Sequence, residues 1–210
     1  MKCQGREAVE EVWETWGGDW QDVNWRALED LVQLWRVFGV GTNLLGSTDE
    51  AFLWKQVGEG LMAARVMREA GFGGRAWLDV GSGGGLPGLI IAMAVDGSGT
   101  LVEPRQKRFD FLQLAQRKLG LGDVKVRRGR VDGGTFVSID GEPCIASGFD
   151  VVSSRAVFGI QDWLEIASSW VGKDGLVLIH GREGQLVPKG WVTCHRLLWE
   201  GWCVFGVQRQ

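Results

Sequence analysis

A short apolar segment, a glycine cluster and a second apolar run together constrain the fold of this chain more than any other feature. Residues 76–80 read Ala-Trp-Leu-Asp-Val, and residues 81–88 read Gly-Ser-Gly-Gly-Gly-Leu-Pro-Gly, before the apolar run at 89–94. This order is typical of a strand, a tight bend and a helix. Glycines allow positive φ and close approach of a ligand, and a helix start offers unpaired N–H groups. The stretch therefore predicts a ligand site.

The spacing of the glycines distinguishes between possible ligands. A dinucleotide fingerprint needs another glycine three residues after Gly83, and that position is Leu86. The remaining pattern places Asp79 at the end of one strand and Glu103 at the end of the next candidate strand, 100–103. This arrangement suits a ribose-bearing cofactor without a pyrophosphate, which indicates S-adenosylmethionine (SAM). A glycine-rich turn without a ligand is the alternative, since such motifs also occur by chance.

Length and composition favour one sizeable core. The chain has 210 residues, of which 45% are hydrophobic. Its net charge of −3 argues against nonspecific nucleic-acid binding through bulk charge, although it leaves room for a local basic patch. The first residues lack an apolar leader, and no later run is long enough to span a membrane. We therefore expect a soluble, cytoplasmic protein.

The cysteines and histidines do not form a metal-binding pattern. The four cysteines include no Cys-x-x-Cys pair, and the two histidines are His180 and His195. Zinc sites need such ligands at close, regular spacing. We expect no metal site and free thiols in a reducing compartment.

Three amphipathic segments precede the glycine stretch. Gly39 is expected to end the second helix, and Ser47 with Glu50 to form a capping box before the third. Apolar residues recur at helical spacing over residues 9–16, 28–38 and 53–64.

From residue 73 onward, short apolar strands alternate with helices. Repeated βα units predict a mostly parallel, doubly wound sheet with ligands beyond the carboxyl ends of its strands. Residues 132–148 are expected to form a loop, and the last two strands a hairpin that closes the sheet edge. We expect an α/β fold with seven strands in residues 73–210 and an N-terminal helical cap in residues 1–72. The predicted strands are 77–80, 100–103, 124–128, 149–153, 176–180, 191–199 and 202–207, and the main helices 86–94, 105–119 and 161–170.

Several motifs together resemble the RsmG (GidB) family of methyltransferases, and the resemblance covers nearly the whole chain. The most specific is the loop at 79–88, whose Leu-Pro-Gly ending resembles this family more than methyltransferases at large. In the helical cap, Asn43-Leu44 resembles the family's Asn-Leu-Thr motif. Further motifs follow at the family's intervals: Glu103, Lys-Arg-Phe-Asp-Phe-Leu at 107–112, Gly-Arg-Val-Asp at 129–132 and Asp-Val-Val-Ser-Ser-Arg-Ala at 150–156.

The resemblance implies a Rossmann-like class I SAM methyltransferase fold and a specific activity. The family transfers a methyl group from SAM to N7 of one guanosine in bacterial 16S ribosomal RNA. Because guanine N7 carries a free lone pair at neutral pH, catalysis can rest on positioning, and we nominate no acid or base. The implied partner is 16S rRNA or the small ribosomal subunit, with no membrane. The oligomeric state stays open, with a monomer favoured.

Site residues follow from the resemblance by position. Gly81 and Leu86 would contact SAM within a loop that also contains Asp79 and Gly83. Glu103 would accept hydrogen bonds from the ribose hydroxyls, since a carboxylate accepts two such bonds well. The remaining cofactor residues would be Val131 and Asp132 at the adenine and Arg155 at the end of the fourth strand.

Basic residues supply candidates for the RNA side. The stretch 127–130, Arg-Arg-Gly-Arg, is the best basic cluster and lies at the end of the third strand. Arginines contact phosphates or stack on bases, although short charge runs are often only solvated. The candidates are Arg128, Arg130, Arg155 and Arg182, with Lys107 and Arg108 more readily covering a helix face.

Two segments depart from the family pattern. Lys/Arg-His-x-x-Asp-Ser-Leu is here Lys-Gln-Val-Gly-Glu-Gly-Leu, so Gln56, Glu59 and Gly60 replace the His, Asp and Ser. The Lys-Gly after the fifth strand becomes His180-Gly181. Substrate recognition is therefore less secure than SAM binding. The alternatives are a divergent SAM-binding paralogue with another methyl acceptor or none, a noncatalytic assembly module, and a small-molecule methyltransferase or nicotinamide oxidoreductase.

Overall fold

A computed structural model describes residues 5–42, 44–132, 134–141 and 147–210. Within these ranges, one mixed sheet of eight strands carries helices on both faces. In chain order the elements are α1 (Arg6–Thr15), α2 (Trp25–Thr42), α3 (Glu50–Glu69), β1 (Trp77–Val80), α4 (Gly88–Ala94), β2 (Gly99–Glu103), α5 (Gln106–Lys118), β3 (Val124–Asp132), β4 (Thr135–Ser138), β5 (Phe149–Ser154), α6 (Ile160–Ala167), β6 (Val171–Arg182), β7 (Trp191–Trp199) and β8 (Trp202–Arg209).

The strand order is β4-β3-β2-β1-β5-β6-β8-β7. Strands β3, β2, β1, β5 and β6 are mutually parallel, while β4, β7 and β8 pair antiparallel to their neighbours. Because β2 and β5 flank β1 on opposite sides, the chain reverses its winding direction at β1. In open α/β sheets ligands bind beyond the carboxyl ends of the strands at such a point. The glycine cluster follows β1 directly and so lies there.

The sheet has an apolar core on each face, and the side chains of the central strands point alternately into one core and the other. Trp77 and Leu101 belong to the core cluster shared with α1 to α5, whereas Leu78 and Val102 belong to the cluster shared with α6. Successive side chains of a strand point to opposite faces, so a strand covered on both faces is apolar throughout. The α/β fold and the C-terminal hairpin predicted from the sequence are confirmed.

The predicted loop at 132–148 is wrong in its first part, and the sheet has eight strands rather than seven. Strand β3 continues to Asp132 and folds back into β4, so that Val131 pairs with Phe136. Strand β4 has four residues, of which only Phe136 is buried. Such a strand lacks a distinct apolar pattern, and pairing with β3 decides its conformation.

The N-terminal helices differ from prediction at two ends. Helix α2 continues through Gly39 to Thr42, since a glycine inside a helix costs only about 1 kcal/mol and does not by itself end it. Helix α3 is capped by Asp49, which accepts a hydrogen bond from Phe52 N–H, while Ser47 accepts one from Asp49 N–H; the predicted capping box is wrong.

The N-terminal helices share one apolar core with α4, α5 and the sheet. Trp35 on α2 also donates a hydrogen bond from Nε1 to the carbonyl of Gly84, at 2.7 Å. The domain boundary at residue 72 stays a prediction, and Asn43 of the predicted Asn-Leu motif lies outside the described residues. In the described parts of the chain, none of the helices combines the length and apolar character that a membrane span requires.

Candidate functional site at the glycine bend

The glycine bend, residues 81–87, connects β1 to α4. Gly81, Gly83 and Gly85 have φ values of +75°, +55° and +93°, which L side chains rarely adopt. The N–H of Gly81 donates to the carbonyl of Val102 at 2.8 Å, which holds the bend against the end of β2. A Cβ atom at position 81 would lie 2.4 Å from Val157 Cγ2. Backbone conformation therefore favours glycine at all three positions, and close packing requires it at position 81 as well.

Glu103 lies at the end of β2, beside the bend, as the sequence predicted. Its side chain is buried, and Oε2 accepts a hydrogen bond from Gly83 N–H at 2.9 Å. Oε1 accepts one from Arg105 N–H, also at 2.9 Å. An ionised carboxylate has about four acceptor positions, so the two protein contacts leave capacity for ligand hydroxyls.

Asp79 lies on β1, and its side chain forms a hydrogen bond with the first residue of α4. Its side chain is fully buried, and Oδ2 accepts a hydrogen bond from Gly88 N–H at 3.2 Å. Within the described chain, Oδ1 has no hydrogen-bond partner. Burial raises the pKa of this carboxyl to about 7, although the Ser82 side chain, the Gly88 N–H and the charge of Arg155 act in the opposite direction. Asp79 thus holds the backbone at the start of α4.

Arg155 follows β5, the strand beside β1, and is held by α3. Its Nε donates to Glu59 Oε1 at 2.9 Å and its Nη2 to Glu59 Oε2 at 2.7 Å. Nη2 also donates to Gln56 Oε1 at 2.5 Å. His180 Nδ1 lies 3.7 Å from Glu59 Oε1, too far for a good hydrogen bond but close enough for electrostatic interaction. We call these four residues the Arg155 cluster.

The charge state of Glu59 depends on its neighbours. Burial alone would raise the pKa of this carboxyl, but the interactions with His180 and Arg155 outweigh it and hold the pKa below its ordinary value. Glu59 is therefore ionised at neutral pH and forms a charge-assisted, bidentate pair with the guanidinium.

With this geometry established, comparisons with known proteins decide the family. Residues 24–185 match the family model GidB, rRNA small subunit methyltransferase G. The chain belongs to the GidB family. It is 36% identical over 155 residues to the ribosomal RNA small subunit methyltransferase G of Sorangium cellulosum, covering 71% of this chain and 62% of that protein. It is 32% identical over 156 residues to the protein of the same name from Cereibacter sphaeroides, covering 72% and 69%. The match to the first relative thus spans less than two thirds of its length.

Solved structures show the same fold for this GidB-family chain. The ribosomal protein L11 methylase from Lactobacillus delbrueckii subsp. bulgaricus superposes with a TM-score of 0.56 at 13% identity, over 79% of this chain and 81% of that one. A SAM-dependent methyltransferase from Thiobacillus denitrificans, in complex with S-adenosyl-L-homocysteine, gives 0.55 at 14% identity, over 72% and 91%. The class I methyltransferase fold expected from the sequence is confirmed.

The structure of this GidB-family chain places some of the predicted site residues together at the glycine bend. Asp79, Gly81, Gly83 and Leu86 form or support the bend, and Glu103 contacts it. Arg155 lies near enough to Asp79 to act on its charge.

The two residues predicted to bind the adenine of SAM, Val131 and Asp132, lie on the β3–β4 hairpin and not in the glycine bend. Val131 packs against the core cluster on the α6 face, and Asp132 is exposed and lies 3.6 Å from Arg130 Nη2. Glu103 pairs with Arg128, so Asp132 is four residues further along β3, a path of about 13 Å. The roles of Val131 and Asp132 stay predictions.

The predicted RNA-side arginines lie in three places, namely on β3, directly after β5 in the case of Arg155, and at the end of β6. Arg128 on β3 pairs with Asp140 at 2.8 Å, and Arg130 is on the hairpin. Arg182 ends β6, with its guanidinium carbon 3.5 Å from the ring centroid of Trp202.

Sequence reasoning did not assign roles to Gln56 and Glu59. The structure shows that both are buried and that both bind Arg155. One signal was available: these two polar residues are three positions apart on one face of a helix segment that is otherwise apolar or glycine.

Proposed function

We propose that this GidB-family chain transfers a methyl group from SAM to N7 of a guanosine in 16S rRNA. One observation carries the proposal: a bend of positive-φ glycines at the winding reversal of the sheet, with the buried Glu103 carboxylate against it. The names of its relatives, ribosomal RNA small subunit methyltransferase G, support the choice of acceptor.

The residues at the bend fit SAM. A Cβ built at Gly83 would touch Arg108 Nη1 at 3.6 Å and meet nothing closer, so no backbone atom crowds this part of the bend. Glu103 keeps acceptor positions for ribose hydroxyls, and the Asp79 carboxyl is occupied by Gly88 N–H on one side only. In this proposal Gly81 and Leu86 contact the cofactor, while Val131 and Asp132 take the adenine.

The reaction requires little from the side chains beyond positioning the two reactants. SAM supplies an electrophilic methyl carbon on a sulfonium. The acceptor N7 has a free lone pair, so this chain needs no residue to remove a proton. Holding the reacting groups in line can contribute roughly 7 to 11 kcal/mol in favourable cases. The rigid bend and the fixed Arg155 guanidinium suit this positioning role.

The RNA side of the proposal involves Arg128, Arg130, Arg155 and Arg182, with 16S rRNA or the small ribosomal subunit as the partner. The guanidinium carbon of the exposed Arg182 lies 3.5 Å from the ring centroid of the half-buried Trp202, so the pair offers both charge and an aromatic surface. Such contacts recognise phosphates and unstacked bases of RNA.

Methyl transfer to unmodified small subunits tests the proposal. Subunits and naked 16S rRNA from cells lacking the N7 modification are incubated with the protein and methyl-labelled SAM, and the labelled base is mapped. We expect one labelled N7-methylguanosine. Labelled RNA at another atom, or a labelled small molecule only, would refute the assignment of the acceptor. Tight SAM binding without any label would favour the noncatalytic module.

Glu103→Ala tests the cofactor assignment. Loss of hydrogen bonds to a charged acceptor should weaken SAM binding by roughly 10-fold to 100-fold, measured by calorimetry. Asp110→Ala, an exposed acid on α5 that contacts Gln106, is the matched control and should bind SAM as the unmodified protein does. Unchanged affinity in Glu103→Ala would contradict the cofactor site.

A further inference from the structure

The Arg155 cluster contains polar residues at positions where apolar ones would be expected. Of the thirteen buried residues of α3, Gln56 and Glu59 alone have polar side chains. Burying a carboxylate is costly unless it is paired, and a buried ion pair adds little net stability compared with apolar residues of the same volume. The pairing of Glu59 with Arg155 therefore calls for an explanation other than stability.

The chain segment that carries Arg155 forms one wall of the glycine bend. Ser154 pairs with Val80, and its hydroxyl donates to the Val80 carbonyl at 2.9 Å. Ala156 has a φ of +57°, a conformation that a non-glycine residue keeps only where its surroundings enforce it. The side chain of Val157 then occupies the space beside Gly81. Arg155 is thus fixed at the backbone within two residues of a contact with the bend.

Hydrogen bonds also fix the guanidinium of Arg155, but these bonds do not use all of its N–H donors. Arginine has five N–H donors in a planar fork. Glu59 and Gln56 accept from Nε and from Nη2. In the described part of the chain, Nη1 has no hydrogen-bond partner. The side chain is 17% exposed, so the pair leaves two oriented, charged donors within reach of a ligand.

We propose that Glu59 is a positioning residue: together with Gln56 and His180 it orients Arg155 so that Nη1 donates to an acceptor group of SAM in the glycine bend. His180 contributes by closing the far side of the Glu59 carboxylate, since its Nε2 lies 3.4 Å from Ser153 Oγ and its Nδ1 faces Glu59. This inference rests on the proposed use of SAM at the bend.

A double-mutant cycle separates positioning from simple structural support. Glu59→Gln keeps the shape of the side chain and removes its charge; we expect SAM affinity to fall about 10-fold, because charge-assisted hydrogen bonds that fix Arg155 are weakened. In an Arg155→Gln background the same change should have no further effect on SAM affinity, since Glu59 acts through Arg155. Thermal unfolding of each variant is measured alongside.

Two further variants complete the test. Glu69→Gln changes an acid on the same helix that pairs with Arg65 and should leave SAM affinity unchanged. Gln56→Met removes one bond to Nη2 without changing charge, and should weaken SAM binding about threefold, less than Glu59→Gln because the two bonds to Glu59 still hold the guanidinium. If a variant at 59 or 155 does not fold, Gln56→Met decides the question by itself.

The outcomes are distinct. Weaker SAM binding in a folded Glu59→Gln protein, and no effect of the same change once Arg155 is replaced, supports the proposal. Unchanged SAM affinity in Glu59→Gln or Gln56→Met overturns it, and so does an equal loss with and without Arg155. If the unmodified protein does not bind SAM, the proposed function itself fails, and this inference fails with it.

Discussion

The buried carboxyl of Asp79 should make the stability of this protein fall as pH rises towards neutrality. Burial raises the pKa of Asp79 to about 7 in the folded protein, from an ordinary value of 3.8. The folded state therefore binds the proton more tightly than the unfolded chain does. A raised carboxyl pKa contributes stability that is fully present below pH 3.8 and is lost as pH rises through about 7.

The expected magnitude follows from the interval between the two pKa values. One pKa unit corresponds to about 1.4 kcal/mol, so the full interval of about three units corresponds to about 4 kcal/mol. Between pH 5 and pH 8 the loss should be about 2 to 3 kcal/mol, with little further change above pH 8. Asp79→Asn removes the titrating group while keeping an oxygen that can accept from Gly88 N–H.

Urea unfolding at pH 5, 6, 7 and 8 provides the assay. The free energy of unfolding of the unmodified protein, minus that of Asp79→Asn, should decrease by about 2 to 3 kcal/mol across this range. Asp110→Asn, an exposed acid, is the control and should give a difference independent of pH. Parallel profiles for the unmodified protein and Asp79→Asn would refute the reasoning, because they would show that Asp79 does not titrate within this window.

Two further predictions concern packing around the bend. Gly60→Ser, which restores the family residue, should destabilise the protein by about 1 to 3 kcal/mol, because a Cβ there would lie 2.4 Å from Ile90 Cδ1; equal urea midpoints would contradict this. Trp35→Phe leaves the buried Gly84 carbonyl without its donor and should cost about 1 to 3 kcal/mol, with weaker SAM binding as the bend loosens. An unchanged SAM affinity in calorimetry would show that this hydrogen bond does not support the bend.

Much of the fold could be predicted from local patterns. The sequence 76–88 predicted β1, the bend and the beginning of α4, because a short apolar run and a cluster of glycines depend on neighbouring residues only. The same local motifs carried the resemblance to the GidB family. Where elements depend on weak local signals, prediction failed: β4 forms because β3 offers it a pairing partner, and α2 continues through Gly39 because one glycine costs a helix only about 1 kcal/mol.

The amino-acid sequence by itself determined the class of fold, the family and the position of the glycine bend, since each depends on residues close together in the chain. Only the tertiary structure showed that Gln56, Glu59, Arg155 and His180 contact one another. Glu59 and Arg155 are 96 positions apart, and their pairing arises when α3 packs beside the end of β5. A buried carboxylate must find a partner in space, and no local pattern states which one.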